Sequence, residues 1–445
     1  MLDNEKQLTL KWALRHIRAF VLLLFQHPKE VLGFVYRYPK KFLLGESGAP
    51  RGEQKTWRHK ITSVKKLKQE LFDLLKRNVE FFEITIPGRI GHQVGEVDLW
   101  LKERILQGKP QKTLVLVMDE AQAANPHFLY YCKQIFSFVI GKQLWLWLLR
   151  SIPEVASLHH LRHDYFHAFG RTAECYDIYR RWESREPLFK LSHDDREFLI
   201  RFLRENWGIG ENDWYVCLHN RERGYSPRDD DLHEYRNASL GDFVPAIQEI
   251  VAHGGWVIRM GDSKMKALPP MDRVIDYANS PHKSPRLDVL LCASARFFLG
   301  STSGLFILAT VFGVPVASVN CIPMSSLPYT GKDVGIPKLL YLEREQRALS
   351  FREVMESPAA NFRFSSDYKD SGLGIINNSS DEITDLVREM LDRTSNAYLR
   401  DPENERRQEV FRSLFKPGHY GYGTSAQVSQ CFLRKHAALL SDSQI

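Results

Sequence analysis

Residues 287–320 read LDVLLCASARFFLGSTSGLFILATVFGVPVASVN, and the fold follows from this stretch. Leu287 to Ala293 carries apolar residues at helical spacing, Arg296 to Leu299 predicts a short strand, and Gly300 to Gly304 is a turn of small residues. Leu305 to Phe312 predicts a helix closed by Gly313, and Val314 to Val319 predicts a further strand behind Pro315. Strand, tight turn, helix and strand in this order make one unit of a parallel α/β sheet. Such a unit puts the unpaired N–H groups of a helix start, with the hydroxyls of Ser301, Thr302 and Ser303, at the carboxyl edge of the sheet. That edge suits a phosphate. Small residues that merely let helix and sheet pack closely would look the same, so the neighbouring segments must decide.

Working outward, the chain has 445 residues, enough for two domains. Its six cysteines are scattered without a Cys-x-x-Cys pair, so neither a disulfide framework nor a zinc knuckle is indicated, and a reducing compartment fits. The net charge of +7 is uneven: residues 1–68 hold 15 Lys/Arg against 5 Asp/Glu, leaving 46 against 49 for the rest. A protein-wide nucleic-acid surface is therefore not expected.

Residues 1–60 form a basic arm and linker. The run Ala19 to Phe25 is interleaved upstream with Lys11, Arg15 and Arg18, and Phe34 to Tyr38 is followed by Lys40 and Lys41. A bilayer crossing takes roughly 20 apolar residues, so no span is expected here. The arm fits either a helix lying on an anionic membrane face or one packed on the protein's own domain. A cytoplasmic protein, peripheral on the membrane in the first case, is the corresponding expectation.

The alternation continues on both sides of the opening stretch. In an amino-terminal Rossmann-like domain, 61–207, strands are expected at Phe81 to Ile86, Thr113 to Met118 and Leu144 to Leu149, with helices at Val97 to Leu106, His127 to Phe138 and Asp194 to Asn206. A second Rossmann-like domain, 208–400, opens with the strand Trp214 to His219. It continues through the helix Gly241 to Ala252, the strands Trp256 to Met260 and Val274 to Tyr277, and a late helix, Ile383 to Leu391. Residues 401–445, with a helix over Val428 to Leu440, are expected to return to the first domain.

Three strand exits of the second domain face one way if its sheet is parallel: His219 to Arg223, Arg259 to Asp262, and Gly300 to Gly304. Cations and helix-start dipoles at consecutive strand ends form the constellation a diphosphate needs. Arg259 could equally belong to a salt bridge. The series Cys217-Leu218-His219 with Arg221, Tyr235-Arg236-Asn237, Gly254 to Asp262 and Gly300 to Gly304 resembles a family of bacterial glycosyltransferases of surface-polysaccharide loci. These have the two-domain GT-B architecture; heptosyltransferases and protein fucosyltransferases are more distantly similar. The resemblance implies a donor site for a nucleotide sugar made of His219, Arg221, Arg223, Arg236, Asn237, Arg259, Gly261, Asp262, Gly300, Ser301, Thr302, Ser303 and Gly304. It also implies a glycan or lipid-linked acceptor. A nucleotide-sugar 2-epimerase or a non-catalytic binding protein on the same scaffold are the alternatives.

In the first domain, Gly88-Arg89-Ile90-Gly91-His92 is expected on a strand-to-helix loop. As a histidine on that loop, His92 is a candidate general base for an acceptor hydroxyl, and Glu96 and Asp119 are rivals for that role. Arg89 could assist the leaving diphosphate. Asp229 and Asp231 form an Asp-x-Asp, a manganese pattern in another glycosyltransferase class, but beside Pro227 they read as a solvated turn; no essential metal or other cofactor is expected. Tyr420 and Tyr422 are candidates for a cleft edge.

Overall fold

The computed structural model describes residues 79–84, 86–141, 165–166, 172–224, 227–395 and 397–440. The basic arm and linker and the strand expected at Leu144 to Leu149 lie outside them. Among the described residues no helix is long and apolar enough to cross a membrane. The chain forms two compact units. The first is built on the described parts of Met1–Glu83, Pro110–Asp119 and Lys133–Arg162. The second comprises Ile84–Lys109, Glu120–Cys132 and His163–Ile445.

In the first unit three strands, β1 (Val79–Glu83), β2 (Thr113–Val117) and β3 (Phe138–Ile140), run parallel in the order β1-β2-β3. β2 is the apolar run TLVLV, and its last three residues are buried. The helix expected to reach Phe138 stops at Ile135, because Phe138 enters the sheet.

The second unit is organised on seven parallel strands. In chain order they are β4 (Tyr215–His219), β5 (Trp256–Arg259), β6 (Val274–Ile275), β7 (Phe297–Ser301), β8 (Val316–Cys321), β9 (Val334–Pro337), and a last strand at Gln427–Val428. In space the order is β6-β5-β4-β7-β8-β9, with Gln427–Val428 on the outer edge of β9. The chain begins in the middle, builds outward to β6, then returns to build the other way from β7. Between β4 and β7 the direction of winding reverses, and in open α/β sheets ligands bind at that point, beyond the carboxyl ends of the strands.

Both faces of the sheet are covered by helices, as alternation along β4 shows. Val216 and Leu218 join a core with Ile247 and Ile250 of helix Val244–Ala252 and Leu386 and Met390 of helix Ser380–Thr394. Tyr215 and Cys217 point the other way, where Tyr215 Oη and Cys217 Sγ both donate to the carbonyl of Leu291 in helix Pro285–Ser294. The carboxyl-terminal residues correct an expectation. Val428 is in a strand, two short helices follow (Gln430–Lys435 and Ala437–Leu440), and Phe432, Leu433 and Leu440 enter the core of the parallel sheet instead of leaving for another domain.

Two further helices matter for the site: α1, Ile90–Leu106, and α2, Gly304–Val311. Gly91 and Gly95 lie one turn apart on α1 and make a groove for Ile307 of α2. A Cβ on Gly91 would stand 3.2 Å from Ile307 Cδ1, and one on Gly95 2.8 Å from Ile307 Cγ2. Close approach of the helices thus depends on the missing side chains. The loop after β2 is pinned to the same assembly. Asn125 and Gln93 of α1 exchange two 2.8 Å hydrogen bonds, and Asn125 Nδ2 donates to the carbonyl of Pro285 at 2.9 Å.

Candidate functional site

β4 and β7 end side by side, with His219 paired to Gly300. A Cβ on Gly300 would lie 2.3 Å from the carbonyl oxygen of His219, so only glycine lets the strands finish in this register. Past the strand ends the backbone N–H of Arg221 donates to Ser301 Oγ at 2.8 Å, which locks the two exits together. Ser301 is fully buried by this role and does not face the cavity, and neither does Gly300.

Beyond Ser301 the turn is only two residues, Thr302 and Ser303, before α2 begins at Gly304. Ser303 is the N-cap but its hydroxyl makes no capping bond. Thr302 Oγ1 and Ser303 Oγ are both buried and have no protein partner. Arg236 crosses to this turn and donates from Nη2 to the Thr302 carbonyl at 2.5 Å. Buried hydroxyls without partners are costly, and here they sit beside the free N–H groups of a helix start.

A cavity of about 600 Å³ opens here within the second unit. His219, Arg221, Arg223, Arg236, Gly261, Asp262, Thr302, Ser303 and Gly304 line it on the sheet side. Arg89 and His92 line it from the start of α1. The helix starts α1 and α2 meet at this cavity through the contact of Gly91 with Gly304. Each brings about half a positive charge, in addition to the guanidinium groups.

Three features of the electrostatics stand out. His219 is pushed down to about 4, first by burial and then by Arg259, Arg221 and Lys283 nearby, so at neutral pH it is an uncharged hydrogen-bonding group. Arg223, half-exposed, is held by Asp231 at 2.9 Å and Glu234 at 3.2 Å, which places the second carboxylate of the Asp-x-Asp in an ion pair. Asp262 closes its own turn by accepting from the Lys264 N–H at 2.8 Å.

The structure revises the reading of the amino-terminal loop. α1 starts at Ile90, so His92 lies in its first turn and Glu96 one turn on. His92 Nδ1 is 2.7 Å from Glu96 Oε1, and Glu96 is buried, 1% exposed, outside the cavity lining. Glu96 is therefore the partner of the histidine and not a rival to it. Its carboxylate fixes Nδ1 as the protonated nitrogen and leaves Nε2 as the basic one, while Phe166 packs edge-on against the ring at 5.7 Å. Asp119 follows β2 in the first unit and is not among the residues lining the cavity.

Arg259 is not in the lining either. It is fully buried and bonded to Asp276 at 3.0 Å and Glu222 at 3.4 Å, holding the loops after β4 and β6 to β5. The salt-bridge alternative is the one the structure realises. Asn237 also lies outside the lining, and its carbonyl accepts from Lys338 Nζ at 2.9 Å. Tyr420 reaches the cavity; Tyr422 is exposed elsewhere. Lys283, Arg363, Thr172, Tyr176 and Tyr329 line the cavity without having been anticipated. Lys283 ends a polar loop, and Arg363 follows a Pro-Ala-Ala-Asn turn; neither sits at the end of a strand or in a recognisable motif.

No family model and no curated protein sequence matches the chain. Solved structures are distantly similar to part of the chain. An ADP-heptose lipopolysaccharide heptosyltransferase II of E. coli is 12% identical, with 58% of this chain and 90% of that one covered, at a TM-score of 0.40. A family 9 glycosyl transferase of Veillonella parvula is 10% identical, covering 58% and 85%, at 0.36. A UDP-GlcNAc 2-epimerase of Methanocaldococcus jannaschii is 11% identical, covering 56% and 71%, at 0.20. Likenesses this distant leave the assignment of function to the site itself.

Proposed function

We propose that this chain is a glycosyltransferase that moves a sugar from a nucleotide diphosphate donor to a hydroxyl of a glycan or lipid-linked acceptor in cell-surface polysaccharide synthesis. The observation that carries the reading is the turn Thr302-Ser303. Two buried hydroxyls without protein partners stand at a helix start, at the switch point of a parallel sheet, beside Arg221 and Arg236. A diphosphate would satisfy all of these groups at once.

The reaction then follows from the groups facing it. His92 Nε2 takes the proton of the acceptor hydroxyl while the imidazolium that forms is stabilised by Glu96. The acceptor oxygen bonds to the anomeric carbon, the bond from that carbon to the diphosphate oxygen breaks, and the electron pair leaves on the diphosphate. Arg221, Arg236 and the two helix starts neutralise the developing charge, with Arg89 placed to assist. A single displacement of this kind inverts the anomeric centre and calls for no metal, so transfer should persist in EDTA. The arm of residues 1–60 would hold the protein at an anionic membrane face on the cytoplasmic side.

The test is a thermal-shift and calorimetric screen of the full chain against nucleoside diphosphates, followed by incubation of the matching nucleotide sugars with and without acceptor glycans. Binding and acceptor-dependent release of nucleoside diphosphate are expected. Sugar epimerised without acceptor, or no nucleotide binding, would reject the reading.

A further inference from the structure

Besides the residues at the strand ends, the same cavity is lined by Phe306, Tyr176, Tyr329 and Arg363. Resting on the reading above, we propose that Arg363 anchors a second anion subsite, which takes a carboxylate or phosphate carried by one of the two sugars brought together for transfer.

The guanidinium is held from three sides. Its plane lies 4.0 Å over the ring of Tyr420, Nε donates to Tyr420 Oη at 2.5 Å, and Nη2 donates to Thr172 Oγ1 at 3.1 Å. The backbone on either side is fixed as well: the N–H of Arg363 donates to Asp367 Oδ2 at 3.1 Å, and its carbonyl accepts from His233 Nδ1 at 3.1 Å. Tyr420 is itself immobilised, because its hydroxyl donates to the Asn361 carbonyl at 3.0 Å. Next to it Gly421 runs so close to Ser325 that a Cβ would meet the Ser325 carbonyl oxygen at 2.3 Å. Segments nearly 250 residues apart in sequence are thus spent on orienting one cation (Thr172 to Tyr420).

Every side-chain partner of that cation is neutral. Among the described residues no carboxylate lies within ion-pair distance of the Arg363 guanidinium, whereas Arg223 and Lys283 in the same cavity are both held by carboxylates. A half-buried arginine among aromatic rings loses hydration without gaining a counter-charge. Its planar fork, preoriented by Tyr420 and Thr172, is the geometry that binds a carboxylate or phosphate. The aromatic walls offer apolar faces to the ring carbons of a sugar bearing that group.

The test uses the full chain saturated with ADP or UDP, titrated calorimetrically with glucuronate, glucose 6-phosphate and glucose. The acidic sugars are expected to bind at least tenfold tighter than glucose, and Arg363→Gln to erase that preference while leaving nucleotide affinity within twofold. Arg363→Lys should restore part of it, since the charge returns without the fork. UDP-glucuronate against UDP-glucose locates the source: a preference lost in Arg363→Gln places the anion on the donor, and equal affinities with retained binding of the free acidic sugars place it on the acceptor. No preference for acidic sugars in either format, or a preference indifferent to Arg363→Gln, overturns the proposal. If no nucleotide binds yet the free acidic sugars still depend on Arg363, the transferase reading falls and the anion subsite stands.

Discussion

Gly91 and Gly304 touch backbone to backbone. A Cβ on Gly304 would lie 2.8 Å from the amide nitrogen of Gly91, and one on Gly91 would lie 3.1 Å from the Cα of Gly304. This contact sets two helix starts against one cavity and fixes His92, the next residue along α1, relative to the Thr302-Ser303 turn. Gly304→Ala must push backbone against backbone, which has no flexible side chain to yield. A loss of about 1–3 kcal/mol in urea denaturation is expected, as for other overpacked contacts. Nucleoside diphosphate affinity should fall with it, and a variant of unchanged stability and affinity would show that the helices do not need this approach.

Arg221 follows β4 and Arg259 ends the neighbouring β5, but they should respond differently. Arg221→Ala removes a cation facing the cavity and is expected to weaken nucleoside diphosphate binding about ten- to a hundredfold, the range for a charged hydrogen bond. Its effect on stability should be small. Arg259→Met leaves Glu222 and Asp276 without their buried partner and should cost about 3 kcal/mol of stability. Calorimetry and denaturation on both variants separate the two roles.

The pair His92 and Glu96 predicts graded losses of transfer. His92→Gln should lower kcat by about 10²- to 10⁴-fold, the usual contribution of a positioned base, with nucleotide affinity unchanged. Glu96→Gln keeps the shape but weakens stabilisation of the imidazolium, so a smaller loss is expected. Steady-state kinetics across pH 5–9 checks both. Equal nucleotide affinity with undiminished kcat in His92→Gln would remove it from the chemistry.

His219 makes stability depend on pH in a defined direction. Its pKa is about 4 in the fold and about 6.5 in an unfolded chain, so the unfolded state binds the proton first. Its contribution is intact above pH 6.5 and is lost as pH falls through 6.5 toward 4, reaching about 2 kcal/mol at pH 5. His219→Gln abolishes this one slope while leaving other titrations alike. Denaturation of the two proteins at pH 7 and pH 5 should show their difference shifting in favour of the variant at pH 5.

The sequence by itself determined the class of fold and the place of the small-residue turn before α2. Apolar strands such as Phe297 to Leu299 and Val216 to Leu218 are fully buried, and a small-residue turn before a helix start is a local event, set by backbone geometry that neighbouring residues dictate. Turn residues Thr302 and Ser303, and Arg221 after β4, were therefore legible. What each charged or polar side chain does was decided only by tertiary structure, because a guanidinium or carboxylate takes its role from partners distant in sequence. Arg259 went to Glu222 and Asp276 instead of the cavity, and Arg363 came into the cavity through Tyr420 and Thr172. Glu96 changed from a candidate base to the hydrogen-bond partner of His92 when α1 began at Ile90 and placed it a single turn away.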